Sequence, residues 1–255
     1  MNTTIALSFC ITCKNRLHQI RYTLRKNLND NFLHRDFIEF ILVDFGSNDG
    51  LREWIIDNFQ SELVSGYLKY YYTEELPKWH ACIAKNTAHL CANGNILVNL
   101  DCDNFTGVWG GAYVLKAFDE HGERCFVHQF GGNVGDGSYG RIAVANKYFF
   151  MLGGYDESFE PMGHQDCNLI ERFIAFGLKY VSCPDSSYNH AIPNTKEEGI
   201  SNTNSSKNYT QMIEFNYNLS LMNLAEGRLI SNNGKFGICK NLFNYKGHAF
   251  HPNHS

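Results

Sequence analysis

NILVNLDCDNF, residues 95–105, is the stretch on which the reading of this chain turns. Ile96, Leu97, Val98 and Leu100 make a short apolar run with one polar break, and Asp101 and Asp103 follow with one residue between them. Such a run reads as a buried strand of a mostly parallel sheet. Its last residues then lie at the carboxyl edge, where open α/β sheets bind ligands. Carboxylates without partners are costly in a core. Hard divalent cations take carboxylate oxygen, and Mg²⁺ or Mn²⁺ usually shares its ligands between protein and a substrate diphosphate. The segment therefore points to a metal-bridged nucleotide site. The plain alternative is that the D-x-D pair caps a turn.

Working outward, strand and helix patterns alternate through the first hundred residues. Ile5 to Thr12 reads as strand, and Leu17, Ile20, Leu24 and Leu28 keep helical spacing. Phe37 to Val43 is a second strand ending at Asp44, followed by the turn Phe45-Gly-Ser-Asn-Asp-Gly50 and a helix through Leu51, Trp54, Ile55 and Phe59. Tyr67 to Tyr72 is a third strand, residues 79–92 are helical, and Gly94 fits that helix's C-terminal end. This is βαβαβαβ, an α/β fold with a mostly parallel central sheet flanked by helices. Further on, Gly131 to Gly140 reads as a glycine-rich loop and Arg141 to Tyr148 as a strand. Residues 165–176 read as a helix stopped by Gly177, and Lys179 to Cys183 as a strand. Asn194 to Asn208 has no apolar period and reads as loop or mobile segment. Tyr209, Ile213, Tyr217 and Leu221 suggest one more amphipathic helix.

Composition narrows the function classes. The net charge is −4 and no basic tract marks a nucleic-acid binder. No apolar span is long enough to cross a membrane, which leaves peripheral association open. The N-terminus lacks a basic n-region, so no signal peptide is expected. Nine cysteines in unpaired, mostly apolar settings fit a reducing cytosol, hence a cytoplasmic location. Cys10 and Cys13 have redox or zinc spacing, but no second such pair exists and Cys10 belongs to a strand, so they read as core.

Five segments in order, SFCITCKNR (8–16), VDFGSNDG (43–50), AKNTA (84–88), NLDCDN (99–104) and GGYDESF (153–159), resemble the glycosyltransferase family 2 group of GT-A enzymes over residues 5–195. GGYDESFEPMGHQDCNLIERF is also similar to the acceptor-site segment of the β-1,4-galactosyltransferases, GGxxxxFxGWGGEDDDxxxR. Phe159, Gly163, Asp166 and Arg172 fall on matching positions, whereas Met162 and Gln165 depart from it. The resemblance implies a GT-A (nucleotide-diphospho-sugar transferase) fold. It divides the chain into a catalytic domain over 1–195, with a nucleotide half (1–104) and an acceptor half (105–195), and a flexible loop and C-terminal extension over 196–255.

Residue roles follow from that chemistry. Charge grows on the leaving diphosphate, and a bound cation neutralises it. Asp103 is the first candidate for direct coordination, with Asp101 on the ribose, the metal or a metal-bound water. Cys102 should point away from both. The resemblance makes Asp44 a ligand of the base. Aspartate accepts from the uracil N3–H, which favours a UDP-sugar; the alternative is that Asp44 nucleates its turn. Thr12 and Arg16 sit where base and phosphate contacts are expected, and Lys85 matches a basic position that contacts the diphosphate, unless it is one more surface lysine. Asp166 is the expected general base, or a helix cap. His190 matches a third metal ligand beside a mobile lid, or is an ordinary surface or core histidine. The expected activity is Mn²⁺- or Mg²⁺-dependent transfer of a sugar from a nucleotide donor to a hydroxyl or glycan acceptor, with inversion. A sugar-nucleotide nucleotidyltransferase and a non-catalytic nucleotide-sugar or glycan-binding protein are the alternatives.

Overall fold

The computed structural model describes residues 4–133, 135–195, 199–200 and 202–251. Four fully or largely buried strands carry the first half: β1 (Leu7–Cys13), β2 (Ile38–Asp44), β3 (Leu68–Tyr72) and β4 (Ile96–Asn99). They are parallel, in the order β3-β2-β1-β4, with register Leu7↔Ile38 and Leu7↔Ile96. The crossovers are α1 (Leu17–Asp30), the consecutive α2 (Leu51–Asn58) and α3 (Gln60–Ser65), and α4 (Ala81–Leu90). α1 buries Ile20, Leu24 and Leu28 at four-residue intervals, the stripe its sequence promised. The chain steps from β1 out to β3 and returns through α4 to β4 on β1's other side. That reversal opens a crevice at the carboxyl ends of β1 and β4.

The second half adds α5 (Gly110–His121), β5 (Cys125–His128), β6 (Ile142–Ala145), α6 (Asn146–Met151), α7 (Gln165–Phe176) and β7 (Lys179–Ser182). β6 runs antiparallel between β4 and β5, and β7 is parallel to β5. After residue 195 come α8 (Tyr209–Ala225), β8 (Leu242–Asn244) and β9 (Ala249–Phe250). The last two extend the same sheet beyond β3, giving nine strands in the order β7-β5-β6-β4-β1-β2-β3-β8-β9. Two cores lie on its faces. One takes α1, α2 and α5 through Leu24, Ile55 and Val114; the other takes α4, α6 and α7 through Ala88, Phe149 and Phe173.

The sheet is mostly parallel in strand direction, as expected, and is made mixed by β6 and β8, which run against their neighbours. Several expectations need correction. The strand expected over Arg141 to Tyr148 ends at Ala145 and becomes helix α6. Gly94 does not end α4. It lies four residues past Leu90, and glycine is needed there because β1 crosses so closely that a Cβ would stand 2.6 Å from the Ser8 nitrogen. α8 forms where expected, opened by an Asn208–Gln211 capping box, but it buries Met212, Asn216 and Ser220 and leaves Tyr217 and Leu221 exposed. Residues 196–198 and 201 of the expected loop lie outside the described residues. The cysteines are all free, and Cys10 and Cys13 are core.

Candidate active site

Three segments converge at the carboxyl edge of β4. Lys85 stands on α4, whose residues from Ala84 to Leu90 are all buried, and its ammonium reaches the edge from beneath. Its Nζ donates to Asp166 Oδ1 at 2.8 Å and lies 3.6 Å from Asp101 Oδ1. Burial alone would lower the Lys85 pKa, but the charges of Asp101 and Asp166 hold it well above the usual lysine value. Gly140, just before β6, forms the floor of this cluster. A Cβ there would be 3.1 Å from Lys85 Nζ, 3.2 Å from Asp101 Oδ2 and 3.3 Å from Asp166 Oδ2. Asn99 fixes the arrangement by donating to the Gly140 carbonyl at 2.9 Å and to Asp101 Oδ1 at 3.2 Å.

Asp166 lies in the first turn of α7, where a negative charge suits the helix dipole. Its oxygens accept from the Lys85 ammonium and, at 3.1 Å, from the Gln165 side-chain amide. The residue preceding the helix is His164, in left-handed backbone at φ 62°. The side chain of Asp166 thus turns toward Lys85 and Asp101. The other matched positions of that segment are packing residues. Phe159 is core, and Arg172 is buried, donating to Asn168 Oδ1 at 2.9 Å and to the carbonyls of Leu152, Leu229 and Gly154.

Asp103 lies beyond Asp101 on the loop after β4. Burial pushes its carboxyl above the usual range and the charge of Asp101 pushes it further, against a hydrogen bond from Asn104 and the charge of Arg16. Cys102 faces the other way: its thiol meets that of Cys13, and its carbonyl accepts from Thr23 Oγ1 at 2.6 Å. The His190 segment runs beside this loop. Phe105 N donates to the His190 carbonyl at 2.9 Å, Ile192 N donates to the Asp103 carbonyl at 2.8 Å, and the rings of Phe105 and His190 stack at 5.6 Å. Arg16, at the start of α1, donates to Asn194 Oδ1 at 3.2 Å, so the chain after His190 is tied back to the β1 edge. Among the described residues no three His, Cys, Asp or Glu side chains gather tightly enough to hold a metal by themselves, so Asp101, Asp103 and His190 share a neighbourhood without forming a closed ligand set.

Asp44 sits at the end of β2 as expected, but its geometry is that of the turn reading. It is wholly buried, accepts from Ser47 N at 2.8 Å and from the Tyr70 hydroxyl at 2.7 Å, and shows no surface to a ligand. Burial raises its pKa, and those bonds oppose the rise. Thr12 is likewise buried in β1. Beside them a cleft of about 400 Å³ is lined by residues that include Lys14, Asn15, Phe45, Gly46 and Asn48. Residue pattern alone does not single out Gly140, Asn99 or Arg141. Their roles come from β6 pairing with β4, which a glycine-rich loop does not announce.

A family model described as Glycosyl transferase family 2 matches residues 8–175. No curated protein matches the chain. Among solved structures, the mannosyltransferase PcManGT from Pyrobaculum calidifontis, in complex with GDP-Man and Mn²⁺, is similar with TM-score 0.61 and 17% identity, over 88% of this chain and 71% of that one. TarS 1-349 from S. aureus, in complex with UDP-GlcNAc, gives 0.60 and 14%, over 82% and 64%. GalNAc-T7 with UDP, GalNAc and Mn²⁺ gives 0.58 and 16%, over 72% and 43%. The chain thus spans less than two thirds of the last two, and at these identities the likeness is one of fold. The family match covers more than half of the sequence, and with this sheet and these neighbours it shows that the chain belongs to glycosyl transferase family 2 and is a GT-A glycosyltransferase.

Proposed function

We propose that this glycosyltransferase moves a sugar from a UDP-sugar to a hydroxyl acceptor in a single displacement, with Asp166 as general base and a divalent cation at Asp101 and Asp103. The observation that carries the reading is the convergence of Lys85, Asp101 and Asp166 around Gly140. The cluster joins the loop after β4 to the first turn of α7, which brings the proposed metal-side carboxylate Asp101 and the proposed base Asp166 onto one lysine.

The donor set fits a hard cation. Asp103 and Asp101 are neighbouring carboxylates; burial first and then the charge of Asp101 raise the Asp103 pKa, and a divalent ion would relieve that repulsion. Asp101 and Asp103 would hold Mn²⁺ or Mg²⁺ there, and the ion would supply charge neutralisation of the leaving group. The protein's own residues do the rest. Lys85, kept charged, and Arg16 add positive charge along the path of the diphosphate. Asp166 accepts the proton of the acceptor hydroxyl as that oxygen bonds to the anomeric carbon and the bond to the diphosphate breaks. Attack from the face opposite the leaving group inverts the centre. His190, on the segment paired with the loop, would be the third ligand in this reading.

The uridine assignment rests on the turn that Asp44 shapes rather than on its carboxylate. A base in the cleft would meet Asn15, Asn48 and the backbone of residues 45–48, and the small cleft suits a single pyrimidine ring. The donor reading as a whole is tested by Mn²⁺-dependent turnover of a panel of nucleotide sugars. Asp103→Ala should remain folded, since loss of a ligand-site carboxylate rarely unfolds a domain, and should lose turnover. Full Mn²⁺-dependent turnover by the folded variant would remove Asp103 from the site.

A further inference from the structure

Arg141, the residue before β6, is 2% exposed and one of the largest fully buried side chains. Its guanidinium has only donors to offer, in a rigid fork. Nη1 donates to the carbonyl of Phe105 at 2.7 Å and to that of Tyr188. Nη2 donates to Asn104 Oδ1 at 2.5 Å and to the His190 carbonyl at 3.2 Å. Burial lowers its pKa to about 10, opposed by the charges of Asp101, Asp103 and Asp136, so it is charged at neutral pH. Apolar side chains fill a core at less cost than a buried ion, so packing does not explain an arginine here.

The partners do explain it. Because the guanidinium cannot accept, Asn104 must give it the amide oxygen. That leaves the Asn104 NH₂ facing the opposite way, where it donates to Asp103 Oδ1 at 2.7 Å and to the Gly137 carbonyl at 3.3 Å. The same fork holds the carbonyls of Phe105 and His190, one on each of the two paired segments.

We propose that Arg141 is a positioning residue: through Asn104 it sets the orientation of the Asp103 carboxylate, and through the Phe105 and His190 carbonyls it clamps the His190 segment against the D-C-D loop. The inference deepens the metal reading of Asp103 and rests on it. Groups that orient metal ligands from behind are typically worth 10- to 100-fold in metal affinity.

The test is calorimetric titration of Mn²⁺ into the full chain with UDP present, for wild type, Asn104→Ala, Arg141→Lys and Asp103→Ala, alongside melting curves without metal. Arg141→Lys keeps the charge and loses the fork. Asn104→Ala leaves Arg141 its three carbonyls and keeps the test usable if the arginine variant does not fold. Both should bind Mn²⁺ about 10- to 100-fold more weakly, with excess Mn²⁺ restoring UDP binding, which a loss of folding would not allow. Asp103→Ala should lose the Mn²⁺ dependence outright. Wild-type Mn²⁺ affinity in folded Asn104→Ala, with Asp103→Ala impaired, overturns the positioning role and leaves the metal reading standing. Wild-type affinity in Asp103→Ala overturns both.

Discussion

Adding one methyl group at Gly140 probes the site without deleting anything from it. Gly140 is outside the left-handed region, so alanine fits its backbone. The new Cβ would face Lys85 Nζ at 3.1 Å, Asp101 Oδ2 at 3.2 Å and Asp166 Oδ2 at 3.3 Å, inside the roughly 3.5–4.0 Å at which nonbonded heavy atoms sit comfortably. Each of the three groups must retreat by a few tenths of an ångström, or the ion pairs must open. Overpacking of this kind costs about 1–3 kcal/mol, offset by about 0.4–1 kcal/mol from the stiffer unfolded chain, so Gly140→Ala should stay folded with a small drop in melting temperature. Catalysis is less forgiving, since a displacement of about 1 Å can cost on the order of 10²-fold. With a smaller shift but a methyl pressed against three site groups, kcat/KM for transfer should fall by at least about tenfold, and UDP binding in Mn²⁺ should weaken as well, because Lys85 and Asp101 are among the groups displaced. The assay is initial-rate transfer beside melting curves. Wild-type transfer in a folded Gly140→Ala protein would mean that the reaction occurs elsewhere.

Other outcomes follow from the same geometry. UDP should bind more tightly than GDP or ADP by calorimetry in Mn²⁺, because the cleft beside the 45–48 turn offers backbone and amide groups to a pyrimidine edge; equal affinities would remove the case for uridine. Stability should fall in acid through His89. Burial holds it neutral with a pKa of about 4, against 6.5 for the free side chain. The unfolded chain therefore takes up a proton below about pH 6.5 that the native state refuses, and stability present above that pH is lost toward pH 4. Between about pH 7.5 and pH 5 this amounts to about 2 kcal/mol for His89. His80 and His128 are shifted in the same direction. Urea midpoints for His89→Leu should show a shallower acid loss than wild type, and parallel profiles would exclude His89 as a source.

Much of the nucleotide half is legible in the residue pattern because β1, β2 and β4 are buried along their whole lengths and mostly apolar, with Ser8 and Glu39 satisfying each other near the strand starts. β5 and β8, of four and three residues, are too short to show a period. α5 begins with Gly110 and Gly111, which disguise a helix start; Gly111 is there because a Cβ would stand 2.4 Å from Ile38 Cδ1. α8 misleads for a different reason. Its buried stripe includes Asn216, which donates to the Gly163 carbonyl at 2.7 Å, and Ser220, which receives a bond from Asn168 at 2.9 Å. A polar stripe with internal partners faces inward while Tyr217 and Leu221 face out, so hydrophobic periodicity selects the wrong side.

The site shows the same limit. Asp101, Asp103, Lys85 and Asp166 can be chosen by residue type and family resemblance. That Lys85 pairs with Asp166, and that Gly140 is the floor between them, depends on an antiparallel strand entering beside β4. Asp44 is chosen for the same kind of reason, yet its carboxylate is spent on Tyr70 and Ser47, because a buried charge must find partners wherever the fold supplies them.

Asp166→Asn bears most directly on the proposed chemistry. Asparagine keeps the shape and can still meet Lys85 through its amide oxygen, but it cannot take up a proton at neutral pH. Transfer to acceptor, measured at saturating UDP-sugar and Mn²⁺, should fall by about two orders of magnitude or more, while UDP-sugar affinity stays within a few-fold of wild type because the base does not hold the donor. Near-wild-type transfer by a folded Asp166→Asn protein would leave single displacement without its base.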